Sequence, residues 1–265
     1  MKFVVCVPDG CADEPLDELG GRTPLEVAAM PNLAALAGRG TVGRAAVIPS
    51  GMPPGSDVGN LSILGYDPAR HHTGRAPIEA AALGLRLAPD QVAFRCNLVT
   101  LGEDGTMRDF AGGHPSSDEA APVIAALQEA LGGDGLSFHA GVEYRHVLVA
   151  PASWADARCV PPHDLSDRAA VWPDGPSAPL LRELMEAAGP VVARAGGAGG
   201  TATGIWLWGQ GTAPSLPPFA ERYGCTGALN TGVDLIRGLG VLAGLEVVEA
   251  EGVTAGYDTS YEAAR

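Results

Sequence analysis

Basic side chains are scarce in this 265-residue chain: 17 lysines and arginines stand against 31 aspartates and glutamates, a formal net charge of −14. Nucleic-acid backbones are gripped by clusters of Lys and Arg, and none occurs here, which argues against such a partner. Long apolar runs are also absent. Nothing approaches the roughly 20 residues that a membrane helix requires. The opening MKFVVCVPDG is too short in its apolar run to serve as a signal-peptide core. The expectation is a cytoplasmic protein with no membrane partner. The five cysteines include no CxxC pair and leave an odd count, so reduced structural thiols are expected.

What is present is 46% apolar, enough for one large core or two smaller ones. Residues 2–7 read as a short buried strand ending in Pro8-Asp9-Gly10. Thr23-Pro24 with Glu26 forms a capping-box pattern, and a second helix start falls at Pro31-Asn32. A strand is expected over 41–48. The turn-rich PSGMPPG follows, and then a helix opening at Ser56-Asp57. Strand, tight loop and helix opening is how open α/β sheets build ligand sites.

From His72 the pattern changes to a helix in APIEAAALGL, a strand in VAFRCNLVTL, and a hairpin over 102–105. Further on come a helix over 117–131, a strand over 144–150 and a helix over 177–188. The glycine run RAGGAGG (194–200) reads as a linker. After it, GIWLWGQG reads as a strand, VDLIRGLGVLAG as a helix and EVVEAEG as a strand, with Asp258-Thr259 resembling a further helix cap. The expected segmentation is a core segment (1–71), an inserted α+β unit (72–199) and a return to the core (200–265).

Two residues stand out chemically. Asp9 closes the first expected strand, where a carboxylate can coordinate a cation or simply support a turn. Ser56 combines a Pro-Pro approach, a glycine and a helix N-terminus, which suits a phosphate, although a plain N-cap has the same appearance.

The blocks VPDGCADEPLDELGGRTPLEVAAMPNLAALAGRG, IPSGMPPGSDVGNLSILGYDP, HHTGRAPIEAAALGLRL and VAFRCNLVT resemble archaeal-type cofactor-independent phosphoglycerate mutases. So do DFAGGH, GVEYRHVLV, PPHD, IWLWGQG and YGCTGALNTGVDLIRGLG, in that order. The resemblance implies an α/β fold: an alkaline-phosphatase-like doubly wound core, here incomplete, with an inserted α+β substrate domain. It implies that Asp9 and Ser56 bind metal and that Ser56 accepts the phosphoryl group. The product would be 2-phosphoglycerate from 3-phosphoglycerate, without 2,3-bisphosphoglycerate. The cofactor would be divalent metal, manganese foremost, with magnesium, cobalt or zinc as options.

For an acid carrying phosphate, forked guanidinium donors are the natural partners. Arg75, Arg95 and Arg145 are the candidates, each of which could equally be a surface ion-pair partner. Asn97 and Glu79 fall in the same blocks. His114 and His163 could handle protons or phosphate oxygens, or be structural; His71, His72, His139 and His146 are expected to be structural or exposed. The family's remaining metal ligands are Asp and His residues of a later stretch, and no histidine follows His163. The chain is therefore expected to be an incomplete form of the enzyme. The other readings are a homoserine kinase-like transferase of the same family, suggested by the DF-x-x-GH block, and a non-catalytic phosphometabolite-binding protein. The oligomeric state is left open.

Overall fold

The computed structural model describes residues 2–254 and 259–262. Thr23 caps its helix as its sequence demands, giving and receiving the reciprocal bonds of a capping box with Glu26. The first helices are short: α1 (Pro24–Val27), α2 (Pro31–Ala37), α3 (Ser56–Ile63), α4 (Pro68–His71) and α5 (Ala76–Ala82). Pro sits at the start of α1, α2, α4 and α5, where its missing N–H costs nothing. Helices this short are not stable alone, so packing must hold them.

Two expected strands are not formed. Among the described residues neither 2–7 nor 41–48 joins a ladder, and Phe3, Val4 and Val42 are 82%, 90% and 76% exposed. Their β-branched composition suits a buried strand, but a strand exists only through a ladder with neighbours, and no described segment supplies one.

The sheet lies further along. β1 (Gln91–Leu101) is its centre, followed by β2 (Met107–Asp109), helix α6 (Ser117–Leu131), β3 (Ser137–His139) and β4 (Arg145–Pro151). Helix α7 (Ala178–Arg194), the glycine turn α8 (Gly197–Gly200) and β5 (Gly204–Gly211) complete the unit. β1 pairs antiparallel with β4 along one side and with β5 along the other. The strand expected to begin the return segment thus belongs to this sheet. The glycine run is likewise no free linker: Gly197 and Ala198 are buried, and positive φ angles at Gly196, Gly197, Gly199 and Gly200 fold it tightly beside α7.

Alternation along β1 decides the two faces. Val92, Phe94, Cys96 and Leu98 join Leu127 of α6 and Leu181 and Ala188 of α7 in the main core. On the opposite face Ala93 packs with Val147 and Val149 against Ala76 and Ala80 of α5. Arg95 and Asn97 continue that second face.

Helix α9 (Phe219–Tyr223), strand β6 (Ala228–Asn230), helix α10 (Asp234–Ala243) and strand β7 (Glu246–Val248) end the described fold. β6 and β7 pair in parallel around α10, the one parallel pair among the described residues. A smaller core joins Leu61 of α3, Tyr66, Ile78 of α5, and Leu235, Leu239 and Ala243 of α10. Each buried leucine there stabilises by about 2 kcal/mol, and this is what fixes α3. The crossing of α10 on α5 needs Gly238, since a Cβ there would overlap the Ile78 carbonyl oxygen. No helix among the described residues is long and apolar enough to cross a membrane. The expected cap at Asp258-Thr259 lies partly outside the described residues.

Candidate active site

Ser56 is the first residue of α3, and Gly55 takes the N-cap position. Its hydroxyl is therefore not occupied in capping; Oγ donates instead to Asp9 Oδ2 at 3.1 Å across 47 residues of chain. The free amides and positive end of α3 lie beside that hydroxyl, an environment that favours an anion. The neighbouring Asp57 carboxylate is 12% exposed and meets His72 Nε2 at 2.7 Å. Burial pushes the Asp57 carboxyl up, but the His72 hydrogen bond and charge, a Val58 N–H and the Arg75 charge leave it below its ordinary value.

A second constellation occupies the α5 face of the sheet. Glu79 Oε1 accepts from Arg75 Nε at 3.0 Å and from Arg95 Nη1 at 2.5 Å. Two guanidinia on one carboxylate leave an excess positive charge in an acidic protein. Arg95 is 3% exposed, and its Nε has no hydrogen-bond partner among the described residues. Asn97 is engaged at both ends of its amide: Nδ2 donates to the Phe110 carbonyl at 3.1 Å, and Oδ1 accepts from Trp208 Nε1 at 3.1 Å and from Arg95 Nη2 at 3.4 Å. Asn97 thereby holds Arg95 and Trp208 in place.

Aromatic rings connect the remaining candidates. The Arg75 and Arg95 guanidinia lie 5.6 and 5.1 Å from the Trp208 ring centre. Trp208 touches His163 at 5.3 Å, His163 touches Phe110 at 6.1 Å, and Phe110 touches His114 and Tyr144. Arg145 stacks on Tyr144 at 5.3 Å and also pairs with Glu143 at 2.9 Å, the surface contact the sequence left open. Burial, and after it the Arg75 and Arg95 charges, hold His163 below the usual imidazole range against the opposing pull of Asp164. His114 stands at a left-handed turn after Gly112-Gly113, with its side chain exposed.

The six residues expected to bind substrate are thus joined through one network of hydrogen bonds and ring contacts, and Asp9 with Ser56 forms a separate pair. Sequence reasoning missed Trp208, Tyr144, Asp57 and His72. Trp208 lies opposite Arg95 in the β1–β5 register, a pairing of two strands far apart in the chain that alternation within GIWLWGQG does not give. Asp57 and His72 had no signal either, being 15 residues apart on different elements. Asp234, at the start of α10, was also missed; burial raises its carboxyl, the Arg145, Arg237 and Arg95 charges oppose this, and Glu79 adds to it.

For a divalent ion, Asp9 and Ser56 offer two oxygens of the type hard cations take. Among the described residues no group of three or more His, Cys, Asp or Glu side chains converges, so these two donors are short of a complete shell.

A family model described as 2,3-bisphosphoglycerate-independent phosphoglycerate mutase matches residues 37–195. A curated protein of that name from Methanosarcina barkeri is 46% identical over 272 residues, covering 99% of this chain and 68% of its own length. One from Methanothermobacter thermautotrophicus, designated mutase 2, is 49% identical, with 99% and 67% covered. A solved structure, the PH0037 protein from Pyrococcus horikoshii, superposes with a TM-score of 0.70 at 30% identity, covering 95% of this chain and 62% of that one. The chain thus spans about two thirds of the curated relatives' length.

Proposed function

Because the chain belongs to the 2,3-bisphosphoglycerate-independent phosphoglycerate mutase family, we propose that it serves the interconversion of 3-phosphoglycerate and 2-phosphoglycerate, with Ser56 carrying the phosphoryl group between them. The observation that carries this is the Ser56 Oγ contact with Asp9 Oδ2 at a helix N-terminus. That hydroxyl is aligned with a carboxylate able to receive its proton, in the same molecule as an arginine-rich anion site.

In the proposed sequence, Arg75 and Arg95 take the acid's anionic groups, with Arg145, His114 and His163 at the other end of the cluster and Asn97 bracing it from behind. Ser56 Oγ forms a bond to phosphorus as the bond to the C3 oxygen breaks. The glycerate stays on the arginines, and its 2-hydroxyl then attacks the phosphoserine, releasing Ser56. His163, kept neutral, can accept or donate a proton at a hydroxyl. Asp9 and Ser56 would contribute two ligands to a divalent ion, manganese, magnesium, cobalt or zinc. Such an ion would neutralise charge developing on the phosphoryl oxygens. The segmentation into a core segment, an inserted substrate unit and a return segment belongs to this proposal, with the second boundary moved to follow β5. A cytoplasmic location fits a small glycolytic substrate.

The test is a coupled assay. Full-length protein with manganese and 3-phosphoglycerate, followed by enolase, is expected to yield phosphoenolpyruvate with no stimulation by added 2,3-bisphosphoglycerate. Ser56→Ala is expected to lose activity at least 1,000-fold, on the order of a lost nucleophile, while binding of 3-phosphoglycerate persists. Turnover only with ATP and homoserine, or binding without any turnover, would overturn the mutase reading.

A further inference from the structure

Two connections join the part of the chain that carries Ser56 to the part that carries the arginines, and they touch. Thr73 Oγ1 donates to the Thr212 carbonyl at 2.6 Å, and His71 Nδ1 bonds the Ser215 carbonyl at 2.7 Å. Gly74 and Gly211 face each other backbone to backbone; a Cβ on Gly74 would overlap the Gln210 carbonyl, and one on Gly211 the Thr73 carbonyl. The first connection begins at His72, which caps the end of α4, and three residues later reaches Arg75.

His72 is also where this connection meets α3. Its Nε2 lies 2.7 Å from Asp57 Oδ2, with 18% of the His72 and 12% of the Asp57 side chain exposed. Asp57 reaches it by folding over the start of α3: a Cβ on Gly55 would overlap Asp57 Oδ1, so glycine there leaves room for the carboxylate. With Asp57 turned inward, Ser56 points its hydroxyl to Asp9. The path from Ser56 to Arg75 therefore runs through one side-chain hydrogen bond and three residues of braced backbone.

We propose that Asp57 and His72 are positioning residues, and that their hydrogen bond holds the Ser56 hydroxyl in register with the Arg75 end of the anion site, so that an anion bound at the arginines orders the first turn of α3. This rests on the reading of Ser56 as the phosphate acceptor, and it adds how acceptor and anion site are kept aligned. The occupant of the arginine site is an organic phosphate acid or phosphate itself. A buried pair that merely stabilised the fold would give the same distances but would not transmit binding.

The experiment compares wild-type full-length protein with His72→Phe, which keeps a ring but removes the donor, and His72→Gln, whose amide reaches about as far as Nε2. Hydrogen exchange over residues 56–60 is measured without ligand, with 3-phosphoglycerate and with inorganic phosphate, alongside kcat, calorimetric Kd and the melting temperature. In the wild type, either ligand is expected to slow exchange in that segment about tenfold. His72→Phe is expected to lose this protection and at least about 30-fold in kcat while Kd moves less than about threefold, and His72→Gln to recover most of both. Protection that survives in a folded His72→Phe protein overturns the proposal. Parallel losses in Kd and kcat that Gln does not restore reduce the pair to a structural role and overturn it as well. Should His72→Phe not fold, the decision passes to His72→Gln and to the wild type, where absence of any ligand-dependent protection is the overturning result. Wild-type protection without mutase turnover would instead count against the substrate reading alone.

Discussion

Arg95 stands almost wholly out of water, and its charge is tolerable only because Glu79 faces it at 2.5 Å. Removing the carboxylate strands the buried guanidinium: Glu79→Ala is expected to lower unfolding free energy by about 3–5 kcal/mol, read by urea denaturation. Replacing the exposed Arg182, which pairs with Glu186 at the surface, should change it by less than about 1 kcal/mol. A similar logic governs His146. Its Nδ1 accepts from the Gly141 N–H, its Nε2 has no partner among the described residues, and burial with the Arg95 and Arg145 charges lowers it to about 3. The folded value lies below the unfolded one, near 6.5, so the unfolded chain binds the proton first as pH falls. Stability is therefore unaffected by this group above about pH 6.5 and declines below it by up to about 1.4 kcal/mol per pH unit. Between pH 7.5 and 5 the wild type is expected to lose about 2 kcal/mol more than His146→Gln; equal losses would refute this. At the proposed anion site, Asp234→Asn removes a negative charge felt by the arginines and is expected to tighten 3-phosphoglycerate binding about fivefold by calorimetry. In the sequence Asp9 is marked out by closing an expected strand, which does not form, and Ser56 by opening an expected helix, which does. The Asp57–His72 pair has no such mark, because only the packing of α3 on the connection brings the two together.

Helices were well signalled by caps and prolines. Thr23-Pro24 with Glu26 and Pro31 fix those ends locally, and the structure follows them. Strands were less legible, since composition says what a strand would bury but not whether a partner is present. VAFRCNLVTL and GIWLWGQG form strands because they pair with each other, whereas 2–7 and 41–48 have the same character and no ladder among the described residues. Amides 3–7 and 41–47 are expected to exchange near free-chain rates, against strong protection over 92–99 and 205–208, by mass spectrometry of the 265-residue chain. The α5–α10 crossing gives a second check. Gly238→Ala forces a methyl into the Ile78 carbonyl and is expected to cost at least about 2 kcal/mol. Gly204→Ala, with nothing within 4 Å of the added carbon and an ordinary φ, should be close to neutral.

Across the whole molecule, a net charge of −14 makes copies repel one another, yet the valine-rich stretch at its beginning offers bare backbone edges. Val4→Lys combined with Val42→Lys is expected to reduce light scattering of concentrated chain without altering the melting temperature; unchanged scattering would show that these edges are not what associates. The touching connections at Thr73 and Thr212 have one more implication. A stretch whose first and last residues meet makes little demand on its host, because joining ends already in contact adds almost no loop-closure entropy. Everything between those two threonines is, in this sense, a cassette with one place of covalent attachment, held besides by the packing of Ile78 in α5 on α3 and α10. The sheet beyond α5 could be exchanged for another by recombination at that spot, and the serine and its aspartate would stay where they are as long as α5 is kept.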